Sequence, residues 1–178
     1  MILNLHGLNG RWDNTNYGQL RLMFPDEEIY SPQIDYLGEN PEDLLDDLVV
    51  AGPYSLVVGQ SLGGFFAYAL GAVEGWPTVL TNPCIPPHEY LPELVDDFRF
   101  LEEVEAIWNG TYPRTFDCTA IVGRRDEVVD HRRTIELLKP YHHVLTVDSG
   151  HSLSGAEYAD AFRAACAAAR PTCNFKAE

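Results

Sequence analysis

Residues 55–70 read Ser55-Leu56-Val57-Val58-Gly59-Gln60-Ser61-Leu62-Gly63-Gly64-Phe65-Phe66-Ala67-Tyr68-Ala69-Leu70. Leu56-Val57-Val58 is a short continuous apolar run, the pattern of a strand buried on both faces of a parallel sheet. Phe65–Leu70 is an apolar helix-like run. Between them, Gly59-Gln60-Ser61-Leu62-Gly63 fits G-x-S-x-G. Two glycines and a serine at that spacing arise by chance often enough that the motif alone only suggests a function. Its position between a buried strand and a helix adds weight, because a nucleophile elbow needs strand, sharp turn and helix in that order. On such a turn the serine hydroxyl projects clear of the sheet. Gly59 and Gly63 would be required where neighbouring backbones come too close for a Cβ. The helix N-terminus then faces a developing oxyanion, and the Leu62 N–H is a candidate donor to it.

Further short apolar runs flank this stretch, at Ile2–Leu5, Glu28–Tyr30, Thr78–Thr81, Thr119–Val122 and Val144–Val147. Helix-like segments separate them. Asn40-Pro41-Glu42-Asp43 is a helix start: an Asn cap, Pro in the first turn, then carboxylates at the positive end of the dipole. Leu44, Leu45, Leu48 and Val49 form its apolar stripe. Tyr17–Phe24, Ser61–Leu70, Asp130–Leu138 and Ser154–Arg170 are the other expected helices. This βαβ rhythm predicts a doubly wound α/β domain spanning residues 1–178, with a mainly parallel six-stranded sheet in the order 2-1-3-4-5-6. One interval breaks the rhythm. From Asn82 to Phe116 no strand is legible: Pro83, Pro86 and Pro87 open it, and an acidic helix-like stretch follows from Pro92 to Trp108. Residues 83–116 are therefore expected to be either a short lid insertion or a long surface crossover.

The other chemical groups fall in loops after other strands. His6-Gly7-Leu8-Asn9-Gly10 follows the first. Gly7 lets the chain turn, the Leu8 N–H is the second candidate oxyanion donor, and His6 is expected to brace the loop. After Thr119–Val122 comes Gly123-Arg124-Arg125-Asp126-Glu127-Val128-Val129-Asp130. Asp126 is the expected acid. Asp130 is the expected cap of the next helix and the runner-up acid, and Glu127 ranks below both. After Val144–Val147 comes Asp148-Ser149-Gly150-His151-Ser152, with His151 as the expected base. Ser61, Asp126 and His151 thus appear in the order Ser, Asp, His. Each lies at the carboxyl end of a different strand, where open α/β sheets build their sites. In that arrangement His151 takes the Ser61 proton as the hydroxyl attacks an acyl carbon. Asp126 fixes the imidazole tautomer, the Leu8 and Leu62 N–H groups hold the oxyanion, and water releases the acyl-enzyme.

At these residues the chain resembles the α/β-hydrolase superfamily, and within it the small bacterial group typified by the YqiA esterase. The matching stretches are Leu5–Asn9, Gly59–Ala67, Asn82-Pro83, Asp126–Asp130 and Gly150-His151. The resemblance implies a cytoplasmic esterase acting on simple acyl esters or thioesters, with no metal or organic cofactor. Cys84–Phe116 matches least, so substrate preference is least determined. Acyl transfer or perhydrolysis with the same triad stays open, as does a non-catalytic binding protein on the same fold.

Charge and composition narrow the classes. The net charge is −15, from 27 acidic and 12 basic residues. A field of that sign repels nucleic acid and anionic membranes. Neither GxGxxG nor GK[ST] is present to bind a nucleotide. Met1 runs straight into Ile-Leu-Asn-Leu without a basic leader, so no secretory signal is expected. Cys84, Cys118, Cys166 and Cys173 show no CxxC spacing and are expected as free thiols. No His/Cys/carboxylate cluster has metal-ligand spacing, and the adjacent His142 and His143 face opposite sides of a strand. Trp12, Tyr17, Tyr90, Trp108 and Tyr112 are candidates for lining an acyl pocket.

Overall fold

The computed structural model describes residues 1–170. Six strands form one parallel sheet: β1 (Ile2–Leu5), β2 (Ile29–Tyr30), β3 (Leu56–Gln60), β4 (Thr78–Thr81), β5 (Cys118–Gly123) and β6 (His143–Val147), ordered β2-β1-β3-β4-β5-β6. Every neighbouring pair is parallel. The expected order and polarity are both found. The chain reverses its direction of winding at β1, so the carboxyl ends of β1 and β3 flank a topological switch point, where open α/β sheets bind ligands.

Among the described residues, six helices connect the strands and a seventh follows the last: α1 (Thr15–Met23), α2 (Pro41–Ala51), α3 (Leu62–Glu74), α4 (Pro87–Leu94), α5 (Leu101–Thr111), α6 (His131–Leu138) and finally α7 (Ala156–Ala169). Alternation along the strands divides the core into two layers. Leu3, Leu5, Val57, Leu80 and Ala120 face one side, where they meet Leu44 and Leu48 of α2, Phe65 and Phe66 of α3, Val104 of α5 and Leu138 of α6. Ile2, Leu56, Val58, Val79 and Ile121 face the other, against Leu20 of α1 and Tyr158, Phe162 and Cys166 of α7. Cys84, Cys118 and Cys166 are buried free thiols; Cys173 lies outside the described residues.

The caps follow the sequence signals. Asn40 Oδ1 accepts the Glu42 and Asp43 N–H groups at 2.9 and 3.4 Å, with Pro41 opening α2. Asn14 accepts the Tyr17 N–H (3.0 Å) at the start of α1, and Asp130 accepts the Arg132 N–H (3.1 Å) at the start of α6. The stretch from Pro92 to Trp108, read as one helix, is two. Pro87 sits in the first turn of α4, so that helix starts early. The chain leaves it at Val95, which is extended, and Asp97 adopts a left-handed φ of 53° before α5 begins. Residues 83–116 thereby carry α4 and α5. Val104, Ile107 and Trp108 of α5 join the core beside α3.

Candidate active site

The register of the sheet sets the site. Gly59, Leu80 and Ala120 are paired in a row across β3, β4 and β5, as are Gln60, Thr81 and Ile121. The next residues, Ser61 and Asn82, therefore emerge along one edge. The Ser61 N–H donates to the Thr81 carbonyl (3.0 Å) and the Asn82 N–H to the Ile121 carbonyl (2.8 Å).

Ser61 occupies the junction of β3 and α3 with φ 53° and ψ −120°, a left-handed φ that disfavours a residue with a Cβ. It is nearly buried and does not cap its own helix by its side chain. The surroundings enforce the turn. A Cβ on Gly59 would lie 2.2 Å from the Gly63 carbonyl oxygen, and one on Gly63 would lie 2.3 Å from that of His6. Gly7 lies directly over the serine, its Cβ position 2.9 Å from Ser61 Cβ. Among the described residues, neither the Leu8 nor the Leu62 N–H donates a hydrogen bond, so both candidate oxyanion donors are unoccupied by the protein. The loop carrying Leu8 is braced as its sequence implied. His6 Nδ1 donates to the Gly7 carbonyl (2.7 Å), Nε2 accepts the Ile34 N–H (3.0 Å), and Tyr36 Oη donates to the His6 carbonyl (2.8 Å).

Asp126 and His151 meet across the loops after β5 and β6. His151 Nδ1 donates to Asp126 Oδ2 at 2.8 Å. The carboxylate side chain is 1% exposed and the imidazole 17%. Asp126 Oδ1 accepts the Val128 and Val129 N–H groups at 2.8 and 3.0 Å, an Asx-type turn that aims the carboxylate inward. Burial by itself pushes the Asp126 carboxyl up, but hydrogen bonds from His131, His151, Val129 and Val128 outweigh it and hold the group well below the usual carboxylate range. Asp130, the runner-up acid, points elsewhere: it caps α6 and pairs with Arg132, whose hydrogen bond brings its carboxyl down to about 2. Among the described residues, no hydrogen bond joins Ser61 Oγ to His151. Catalytic contacts are often long in unliganded sites and tighten on substrate.

Three contributors were not legible as such. Asn82, fully buried with φ 43°, ties the two loops together. Its Nδ2 donates to the Gly150 and His151 carbonyls (3.0 and 2.9 Å), and its Oδ1 accepts the Gly123 N–H (2.7 Å). The Asn82-Pro83 stretch was the only sequence signal. Glu127 Oε2 accepts the His151 N–H at 3.1 Å. His131 Nε2 lies 2.7 Å from Asp126 Oδ2, placing a second imidazole on the acid. Nothing in the sequence pointed to it.

The other singled-out groups do not bond to the Asp126 or His151 side chains, although Tyr90 shares a cavity wall with Asp126 and His131. Cys84 donates its N–H to the Ser61 carbonyl (2.9 Å), but burial and the Asp126 charge push its thiol up to about 12, so it is no rival nucleophile. Trp108 stacks on Tyr112 (4.5 Å between centroids) and packs against Tyr68; Trp12 meets Tyr17 edge-on at 5.2 Å. Tyr90 Oη donates to the Asp130 carbonyl at 2.8 Å. Among the described residues, no cluster of three or more His, Cys, Asp or Glu side chains could hold a metal ion, and no helix is long and apolar enough to cross a membrane.

A parallel sheet in this order, with a strained serine at the β3–α3 junction, defines an α/β-hydrolase fold. Solved structures agree. Est1E from Butyrivibrio proteoclasticus superposes with a TM-score of 0.71 at 13% identity, covering 96% of this chain and 88% of that one. The monoacylglycerol lipase of Paleococcus ferrophilus superposes with a TM-score of 0.68 at 11% identity, covering 96% and 93%. Within this fold the chain belongs to UPF0227, described as an uncharacterised protein family, whose model matches residues 1–164. A UPF0227 protein of Shewanella sp. (strain ANA-3) is 28% identical over 151 residues, 80% of this chain and 84% of the relative. One from Serratia proteamaculans (strain 568) is 27% identical over 154 residues, 82% and 86%.

Proposed function

We propose that this protein is a serine hydrolase that cleaves carboxylic esters or thioesters through an acyl-enzyme on Ser61. The observation that carries the reading is the buried Asp126–His151 hydrogen bond of 2.8 Å, held at the same sheet edge as a serine in a left-handed turn. A carboxylate on Nδ1 leaves Nε2 proton-free to act as general base. Ser61 Oγ loses its proton to His151 as it attacks the acyl carbon. The carbonyl oxygen becomes an oxyanion facing the Leu8 and Leu62 N–H groups, backed by the α3 N-terminus. His151 returns the proton to the departing alkoxide or thiolate. Water, deprotonated by His151, then hydrolyses the acyl-Ser61 ester and regenerates the hydroxyl. The name of one fold neighbour, a monoacylglycerol lipase, is consistent with this chemistry.

A cavity of about 370 Å³ opens beside the oxyanion loop, lined by Leu8, Asn9, Gln33, Tyr36 and Leu37 among others. Gln33, Asp35 and Glu39 in its walls favour a short or polar group there over a long lipid chain. The reading includes no metal and no organic cofactor, and it places the enzyme in the cytoplasm, as the family resemblance implies. Its test is hydrolysis of p-nitrophenyl esters from acetate to palmitate. Turnover that peaks at short chains is expected. Absence of turnover across the whole series would move the protein out of simple ester hydrolysis.

A further inference from the structure

The Asp126 carboxylate serves two imidazoles. His151 Nδ1 and His131 Nε2 both approach the same oxygen, Oδ2, at 2.8 and 2.7 Å, while Oδ1 takes the Val128 and Val129 N–H groups. An ionised carboxylate has about four acceptor sites, so protein donors fill this one completely. His131 is not at a surface where the contact would be incidental. Its side chain is 5% exposed, it is the first residue of α6, and the backbone fixes its direction. Only an N–H can face a carboxylate, so the proton is on Nε2. Among the described residues, the opposite nitrogen, Nδ1, is buried without a partner.

We propose that His131 is a positioning residue for the acid–base pair: it holds Oδ2 in line with His151 and takes a share of its negative charge. This rests on the Ser61–His151–Asp126 reading above. Two consequences follow from sharing one oxygen. Rotation of the carboxylate away from His151 would break the His131 bond as well, so the Asp126–His151 geometry is held from two sides. And an N–H dipole on Oδ2 weakens the field that stabilises a protonated His151. With Nδ1 held on the carboxylate, the His151 Nε2 is kept free of the ring proton and available to accept the one that leaves Ser61.

The other titratable groups around the pair come from every neighbouring element. Glu127, in the acid loop, accepts the His151 N–H; Cys84, after β4, is a buried thiol close to Asp126. Asp130 is paired with Arg132 at the start of α6, and Tyr90 of α4 donates to the Asp130 carbonyl. Their side chains all remain when residue 131 is changed; of them, Asp130 is the one that also feels the charge of residue 131.

The test compares wild type with His131→Gln, whose amide nitrogen reproduces the Nε2 donor, and with His131→Leu, which removes it. His131→Phe, which keeps a planar ring, is a second donor-free variant should Leu not fold. Two quantities are read: the pH dependence of kcat/KM on p-nitrophenyl acetate, and the titration of the His151 ring by NMR. Expected is an upward move of the ascending limb and of the His151 midpoint by about half a pH unit or more without the donor. His131→Gln should stay near wild type. An unmoved midpoint in both donor-free variants, even with a uniform loss of rate, would overturn the proposal and leave His131 as packing. The NMR titration needs no turnover, so it decides the role of His131 even if ester hydrolysis itself is not found.

Discussion

At the scale of single residues, the site rests on the contrast between two aspartates four positions apart. Asp126 is sealed and receives ring and backbone N–H groups, which keep it ionised despite burial. Asp130 is exposed, and its carboxylate is spent on Arg132 and the first turn of α6. Removal of the Asp126 carboxylate frees His151 to rotate or adopt the wrong tautomer. Removal of Asp130 costs a helix cap. Asp126→Ala should therefore lower kcat by roughly a hundredfold or more, the scale of general acid–base assistance. Asp130→Ala should leave kcat within a few-fold and lower the melting temperature modestly through the lost helix cap. Steady-state kinetics of the two variants, with melting curves, checks the ranking; a larger kinetic loss in Asp130→Ala would reassign the acid. The sequence favoured Asp126 because the pattern G-x-x-D-x-V-V, Gly123 to Val129, follows a buried strand. What fixes it in the structure is the Asx-type turn onto Val128 and Val129.

At the scale of elements, the site is a set of loops held at a common level by parallel register. Asn82 does the joining: it follows β4, lies between the loops after β5 and β6, and bonds to both. Asn82→Ala would strand the Gly123 N–H and leave the Gly150 and His151 carbonyls short of a donor. Each unsatisfied buried group costs about 1–3 kcal/mol. The predicted outcome is a lower melting temperature together with a kcat that falls much more than KM changes, since His151 drifts while the oxyanion loop is untouched. A parallel rise in KM with unchanged kcat would contradict that role. Elements were legible where local chemistry is decisive: the Asn40-Pro41 start of α2, and the glycines around Ser61 that admit no Cβ. They were less legible where tertiary context decides. The break between α4 and α5 depends on a left-handed Asp97, and Asn82 and His131 acquire their roles only when loops distant in sequence meet.

At the scale of the whole molecule, two apolar layers flank a sheet whose carboxyl edge carries every residue assigned to chemistry. The strand order was readable because continuous apolar runs alternating with capped helices leave few permitted topologies. Substrate preference was not, because it depends on how residues 83–116 and the loop after β1 frame the opening. The −15 charge argues for neutral or cationic esters over polyanionic ones. The most direct measurement is covalent trapping: incubation with a fluorophosphonate ester, then intact mass and peptide mapping, on wild type and Ser61→Ala side by side. The predicted result is a single adduct on Ser61 of the wild type and none on the variant. An unlabelled wild type, or a label that persists in Ser61→Ala, would contradict the assignment of Ser61 as the nucleophile.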